Sequence, residues 1–345
     1  MAKRPTMQDV AEAAGVGVAT VDRVLNNRAA VRTATAASVI NAAQKLGYYS
    51  VPVIRHRLTS KLPLCRLGFV LQKADDSFYQ QLAEQLQACT ENAPHVRGRA
   101  IIEFVDDLSA EKISAAMLAM QDSVDVIACV PIEHPIVSRT ISELAEKGIP
   151  VVALLTTLGA QSLAGYIGVD NRQLGRTAGW LMSHLVSSPG KIAVFVGSHR
   201  YVGQEMSEIG FRSYCRENPR GHELLETSIN LDDPAVAEGV TLDLLRKHPD
   251  LAGIYDAGGG REGIISALRS DGQGRNVAVI CSQLTPATQS ALIDGVISAV
   301  LSLPVNAFCA TTVETMVAAF QGDPNKLQHQ HIIPFDIITS ENIRS

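Results

Sequence analysis

Apolar positions near the start of the chain recur with a helical period. Met7, Val10, Ala11 and Ala14 fall at i, i+3, i+4 and i+7, which predicts a short helix from about Thr6 to Ala14, stopped by Gly15. Val21, Val24 and Leu25 share one face of a second helix from Val18 to Leu25, leaving Val18, Ala19, Asp22, Arg23 and Asn26 pointing elsewhere. A third helix, about Thr33 to Leu46, carries Val39, Ala43 and Leu46 on its apolar side, with Gly47 placed to cap it. Two short helices joined by a tight glycine turn and walled by a third predict a helix-turn-helix.

From Cys65 onward the pattern changes. Short apolar runs (RLGFVL, AIIEFV, VDVIACV, IPVVALL, KIAVFVG, LAGIYDA, VAVICS, VISAVL) alternate with helix-length amphipathic segments such as FYQQLAEQLQACTEN and NRQLGRTAGWLMSHLV. Strands alternating with helices predict parallel sheets covered on both faces. Eight or so strands over about 280 residues exceed one comfortable sheet, so two α/β subdomains with a cleft between them are expected. Trp180, beside Leu181 and Leu185, is expected in the core. The expected plan is a helix-turn-helix head at 1–48, a linker at 49–64 and a body at 65–345. The stretch YYSVPVIRHRLTSKLP between Tyr48 and Pro63 is proline-bracketed and basic, with no core-like period.

Composition narrows the class. The 345 residues are 46% hydrophobic and 19% charged, and no apolar run reaches the ~18 residues of a membrane span. No apolar segment follows the basic start to act as a secretion signal, so a cytoplasmic location is expected. Six scattered cysteines without a C-x-x-C pair suit small buried side chains, with no metal or cofactor implied. Charge is uneven. Up to Lys61 nine Lys and Arg face three acids (Asp9, Glu12, Asp22), a net of +6, while the remainder carries −11. A basic head on an acidic body is the pattern of one module that meets a polyanion and another that does not.

In a helix-turn-helix the second helix offers its N-terminal half to base edges in the major groove. Arg23 can fork onto guanine O6 and N7, and Val18 and Ala19 can contact a thymine methyl. Thr6, Gln8, Thr20 and Asn26 suit phosphates, which position the module. In the body, ligands are expected beyond the C-terminal ends of strands. Asp75, Asp76, Phe78, Tyr79, Glu133, His134, Asp256 and Gln283 stand there, a mixture suited to a hydroxyl-rich small molecule.

The run TMQDVAEAAGVGVATVDRVLNNRAAVRTATAASVINAAQKLGY resembles the DNA-binding head of the lactose-repressor (LacI/GalR) family, with DVAEAAGV, ATV-RVLN, Val31, Thr35 and LGY at the family's spacing. Asp22 stands where the family usually has Ser, Ala36 where Arg is common, and Gly17 where Ser is frequent. The rest resembles the periplasmic sugar-binding-protein fold that the family carries, through DDSFYQQLAEQL, YIGVDNRQLGRTAGWLM, Gly210-Phe211, YDAGGGREGIISAL and LTPATQSALIDGVISAVL in family order. The resemblance implies effector contacts at Asp76, Phe78, Tyr79, Glu133, Asp170, Asp256 and Gln283. It also implies a hinge in which Leu58 wedges into the minor groove, although Leu58 sits one residue later than the family pattern. Ser207 and Ser282 stand where an Arg and a His are common in relatives, so the expected effector, a sugar, polyol or sugar acid, need not be a common aldose.

Gly258-Gly259-Gly260-Arg261-Glu262-Gly263 spells G-x-G-x-x-G after a strand, but the next strand ends Cys281-Ser282-Gln283 without the ribose-binding acid of a dinucleotide site. A tight turn is expected there. His329 and His331 alternate on a late strand, as a surface or subunit contact. No G-x-S-x-G or H-E-x-x-H motif is present, and no enzyme is expected. The expectation is a homodimeric regulator that reads double-stranded, near-palindromic operator DNA and releases it when the body binds its effector, with no membrane partner.

Overall fold

The computed structural model describes residues 5–26, 31, 33–46, 48, 62–107, 109–271, 277–322 and 330–343. Packing divides the chain into two compact units, Met1–Leu64 with Pro94–Arg97, and Cys65–Ala93 with Gly98–Ser345. Leu58, Gly47 and His329 lie outside the described residues, as does the side chain of Asn26.

The head holds helices α1 (Met7–Ala14), α2 (Val18–Asn26) and α3 (Thr33–Lys45). Thr6 caps α1: its hydroxyl accepts from the Asp9 N–H while the Asp9 carboxylate accepts from the Thr6 N–H, so two orphan donors are satisfied reciprocally. Gly15 ends α1 at φ 65°, a left-handed conformation natural to glycine. Val10, Ala11, Val21, Val24, Leu25, Val39, Ala42, Ala43 and Tyr48 form the core. Leu46 is not among them. It lies just past the end of α3 and is exposed, and Tyr48 closes the core instead.

The body alternates strands and helices: β1 (Leu64–Gln72), α4 (Ser77–Glu91), β2 (Arg97–Val105), α5 (Ala110–Met120), β3 (Val126–Cys129), α6 (Pro135–Glu146), β4 (Val151–Leu154) and β5 (Gly165–Gly168). Then come α7 (Asn171–Leu185), β6 (Lys191–Val196), α8 (Val202–Glu217), β7 (Glu223–Leu224), β8 (Ser228–Ile229), α9 (Pro234–Lys247), β9 (Leu251–Asp256) and α10 (Arg261–Asp271). The chain finishes with β10 (Ala278–Ser282), α11 (Pro286–Ile293), β11 (Ala299–Ser302), α12 (Val305–Gln321), β12 (Gln330–Ile332) and β13 (Asp336–Ile338).

Two sheets result, ordered β12-β5-β4-β3-β1-β2 and β13-β11-β10-β9-β6-β7, with β8 also on β6. Central strands such as β3 and β4 are buried throughout, as parallel strands covered on both faces must be. Strand β13 runs antiparallel to β11. The chain passes between the sheets three times: after β5 into α7, after β11 into α12, and from β12 to β13. Those crossings make each sheet a subdomain composed of separate stretches of chain.

Trp180 is 48% exposed, contrary to the core placement expected from sequence. The inward face of α7 is Leu174, Ala178 and Met182; Trp180 stacks instead on His184, one turn along, with centroids 4.4 Å apart. The six cysteines are free thiols, four of them buried. His331 lies on β12, half-buried at the edge of its sheet. Among the described residues no helix is long and apolar enough to cross a membrane.

Candidate functional site

In the head, α2 turns Val21, Val24 and Leu25 inward and leaves Val18 (45% exposed), Ala19 and Arg23 outward, with Thr20 and Asp22 half-buried. Gln8 is exposed on α1, and the Thr6 hydroxyl is engaged by the cap described above. The outward side of α2 thus combines a fork-shaped cation with small apolar groups.

In the body, the C-terminal ends of both sets of strands converge on one cavity of about 110 Å³. The first subdomain contributes Gln72, Lys73, Asp76, Phe78 and Tyr79 from the β1–α4 turn, Val130 after β3, and Leu155 and Thr156 after β4. The second contributes Tyr201, Gln204 and Ser207 from the start of α8, Asp232 from the turn before α9, Gly258, Gly259 and Arg261 after β9, and Ser282 and Gln283 after β10. Asn171, at the start of α7, lines it as well.

Several hydrogen bonds tie the two sides. The Lys73 ammonium donates to the carbonyls of Leu231 (3.0 Å) and Asp232 (2.9 Å). The Gly203 N–H donates to the Thr156 hydroxyl at 3.0 Å, and the Glu133 N–H to the Arg200 carbonyl at 2.8 Å. Among the described residues, five of the six non-glycine residues with positive φ sit at this cleft: Lys73, Leu155, Leu231, Asp232 and Gln283. Backbone strain of about 1–3 kcal/mol per residue is held where surrounding structure overrides it, as at binding sites.

The cavity is rich in buried charge. Asp232 accepts from the Gly259 N–H at 2.6 Å and from the Gln204 amide at 3.3 Å. Burial nevertheless raises its pKa, with those hydrogen bonds opposing. A Cβ on Gly258 would lie 2.7 Å from the Asp232 Oδ1, which explains why the G-x-G-x-x-G turn needs glycine: a carboxylate of the same chain fills it. Asp256, the last residue of β9, is fully buried, and burial pushes its pKa up to about 8. Its Oδ2 has no hydrogen-bond partner. Burial works to lower the pKa of Arg261, and Asp76, Glu262 and Asp256 more than offset it. Burial also raises the Tyr79 and Tyr201 phenols.

Of the body residues picked out in the sequence, Asp76, Phe78, Tyr79 and Gln283 line the cavity. Asp76 also caps α4, accepting from the Phe78 N–H at 2.8 Å, and the Gln283 side chain accepts from the Leu303 N–H at 3.3 Å. Asp256 lies beneath the lining rather than in it, bonded to the Gly258 N–H at 3.2 Å. Glu133 and Asp170 are exposed and not in the lining. Glu133 accepts from the Gly159 N–H at 2.9 Å, and Asp170 caps α7 through the Gln173 N–H at 2.9 Å. Asp75 is exposed, and His134 caps α6. The sequence reading missed Gln72, Lys73, Asn171, Gln204, Asp232 and Arg261. Gln72 and Lys73 stand at the end of β1 and Arg261 follows β9 by one turn, signals available in the sequence; Asp232 follows β8, a two-residue strand that no apolar run announces.

Comparison with known proteins gives two matches along the chain. Residues 67–324 match the periplasmic binding protein domain family, and residues 6–50 match the bacterial regulatory proteins of the lacI family. Similar curated proteins include the HTH-type transcriptional regulator GntR of Escherichia coli K12, 22% identical over 73% of either chain. The ribose operon repressor of Halalkalibacterium halodurans is 26% identical over 72% of this chain and 70% of its own. Among solved structures, an Agrobacterium vitis ABC transporter solute binding protein bound with α-D-tagatopyranose has a TM-score of 0.74 at 20% identity, covering 81% of this chain and 95% of that one. GanP, a glucose-galactose binding protein from Geobacillus stearothermophilus, has a TM-score of 0.74 at 18% identity, covering 81% and 99%. With a periplasmic-binding-protein body behind a lacI-type helix-turn-helix, the chain belongs to the lactose-repressor (LacI/GalR) family.

Proposed function

We propose that the protein is a cytoplasmic, homodimeric repressor that grips a near-palindromic operator and lets go when a small sugar-like effector enters the body's cavity. The observation that carries this reading is the cavity itself. Its walls come from two subdomains joined by three chain crossings, so a ligand that touches both walls favours one angle between them. A coupling of about 1–3 kcal/mol between the sites changes occupancy several-fold or more.

In this reading Arg23 reads a base, Val18 and Ala19 make apolar contact, Gln8, Thr20 and Asn26 meet phosphates, and Thr6 fixes the first helix near the backbone. Leu58 acts as the hinge wedge. Asp76, Phe78, Tyr79 and Gln283 touch the effector directly. Asp256 supports the floor, and Glu133 and Asp170 hold the loop and helix around the rim.

The test is selection of a bound duplex from a randomised pool, followed by titration at several salt concentrations, since the logarithmic slope reports phosphate contacts. The selected duplex is then challenged with sugars, polyols and sugar acids. Binding that shows no sequence preference, or that no small molecule alters, overturns the reading. Arg23→Ala is expected to lower the ratio of operator to random-duplex affinity by about ten-fold or more, the worth of one bidentate base contact. Asp76→Ala should remain on DNA at effector concentrations that strip the parent protein.

A further inference from the structure

Two buried polar groups in the cavity wall lack a partner, and they are of opposite sense. Gln72, at the end of β1, is 1% exposed; its amide N–H donates to the Val130 carbonyl at 3.1 Å, which turns its carbonyl oxygen the other way, buried and without a donor. Arg261, at the start of α10 in the other subdomain, has a side chain only 5% exposed, and its Nε and Nη1 make no hydrogen bond. Its nearest carboxylate oxygens, Asp76 Oδ2 at 3.9 Å and Glu262 Oε1 at 3.8 Å, both stand beyond hydrogen-bonding distance from the same Nη1. Buried polar groups are ordinarily hydrogen-bonded, so an unmet acceptor on one wall and a guanidinium with unmet N–H groups on the other describe what the occupant must bring.

We infer that Gln72 and Arg261 are specificity-determining residues for a neutral polyhydroxylated effector, whose hydroxyls donate to the Gln72 carbonyl and accept from the Arg261 guanidinium. This deepens the proposed effector site and rests on that reading. A hydroxyl serves both needs because it donates and accepts. A carboxylate at the guanidinium gains nothing from the Gln72 oxygen, which a hydroxyl must meet in any case, and enters a neighbourhood where Asp76 and Glu262 already face the arginine. One ligand held by both residues fastens the two subdomains across the cleft.

The experiment compares the full-length parent with Gln72→Leu, Arg261→Met and the double variant. Melting temperatures are measured first without ligand. Gln72→Leu also takes the donor from the Val130 carbonyl and Arg261→Met the cation from Asp76 and Glu262, so some loss of stability is expected from either, and titrations are run well below the lowest melting temperature. Calorimetric titration then uses D-ribose, D-galactose, myo-inositol, D-mannitol, D-gluconate and D-galacturonate. A neutral compound should bind, with affinity lowered at least thirty-fold in Arg261→Met and at least ten-fold in Gln72→Leu. Preference for gluconate or galacturonate, or unchanged affinity in both variants, overturns the inference while leaving effector control intact. If no compound in the panel binds the parent, the effector reading loses its support and the inference falls with it.

Discussion

The head and the body put their recognition chemistry on surfaces of opposite curvature. The head displays it outward: Val18, Ala19 and Arg23 stand in solvent on α2, and the core behind them holds, among the described residues, nine side chains, mostly small and apolar. The body folds its recognition chemistry inward, with Gln72, Asp256 and Arg261 almost wholly buried and Asp232 half-buried. An outward reader leaves its polar groups hydrated until DNA arrives, and folding is not taxed by them. An inward receptor must desolvate charge during folding, which only a large apolar core can offset. The small unit therefore has little stability to lose and the large one has much, and mutations of comparable local violence should separate them.

Val21→Asp should have the largest effect. Val21 is fully buried in the head, and an uncompensated carboxylate there costs about 3–5 kcal/mol, of the order of all the stability a core this small supplies. Calorimetry should show the head's transition gone, operator binding lost and the body's transition in place. A surviving head transition would mean that the two units share more stability than their separate cores suggest.

Gly263→Val probes the body with a similarly harsh change. A Cβ at Gly263 would stand 1.8 Å from the Pro234 carbonyl oxygen, so α9 and α10 must part. Overpacking of this kind costs typically about 1–3 kcal/mol, which should lower the body's transition by several degrees without unfolding it. Complete loss of that transition would break the comparison from the other side.

Asp256 makes the inward placement visible in pH. With a folded pKa of about 8 against an ordinary 3.8, the carboxyl holds its proton more tightly folded than unfolded. Its contribution to stability is whole below about pH 3.8 and is lost as pH rises through 8. The body's melting temperature should fall between pH 5 and 8 in the parent protein. In Asp256→Asn this fall should be shallower, and equal slopes in differential scanning fluorimetry would remove Asp256 as the cause.

Curvature also explains what could be read in the chain. The head's face is a local matter, because a 3.6-residue period assigns each side chain of α2 to core or solvent without knowledge of anything distant. Leu46 was misplaced only because α3 ends before it. In the body, Asp76, Phe78, Tyr79 and Gln283 were legible because residues just past strand ends face the cleft. Asp232 was not, since it follows β8, a strand of two residues with no apolar run to announce it. Strand β5 escaped as a four-residue GYIG that resembles a loop. Trp180 was sent to the core by neighbours on the outer face of its helix.

A matched pair of helix caps sharpens the comparison at the smallest scale. In the head, the Thr6 hydroxyl accepts from the Asp9 N–H at 3.3 Å; in the body, the Ser109 hydroxyl accepts from the Lys112 N–H at 3.2 Å to cap α5. Thr6→Ala and Ser109→Ala each remove one such bond, worth about 1 kcal/mol. Divided by a smaller unfolding entropy, that loss should lower the head's transition by about 4–8 °C, and the body's by no more than about half as much. Because Thr6 is proposed to stand near the phosphates, operator affinity at low temperature separates a lost contact from a loosened fold. A weakened operator complex in Thr6→Ala well below the head's melting point assigns the residue a role on the phosphates. An unchanged complex there, with the lowered transition, makes it a cap alone.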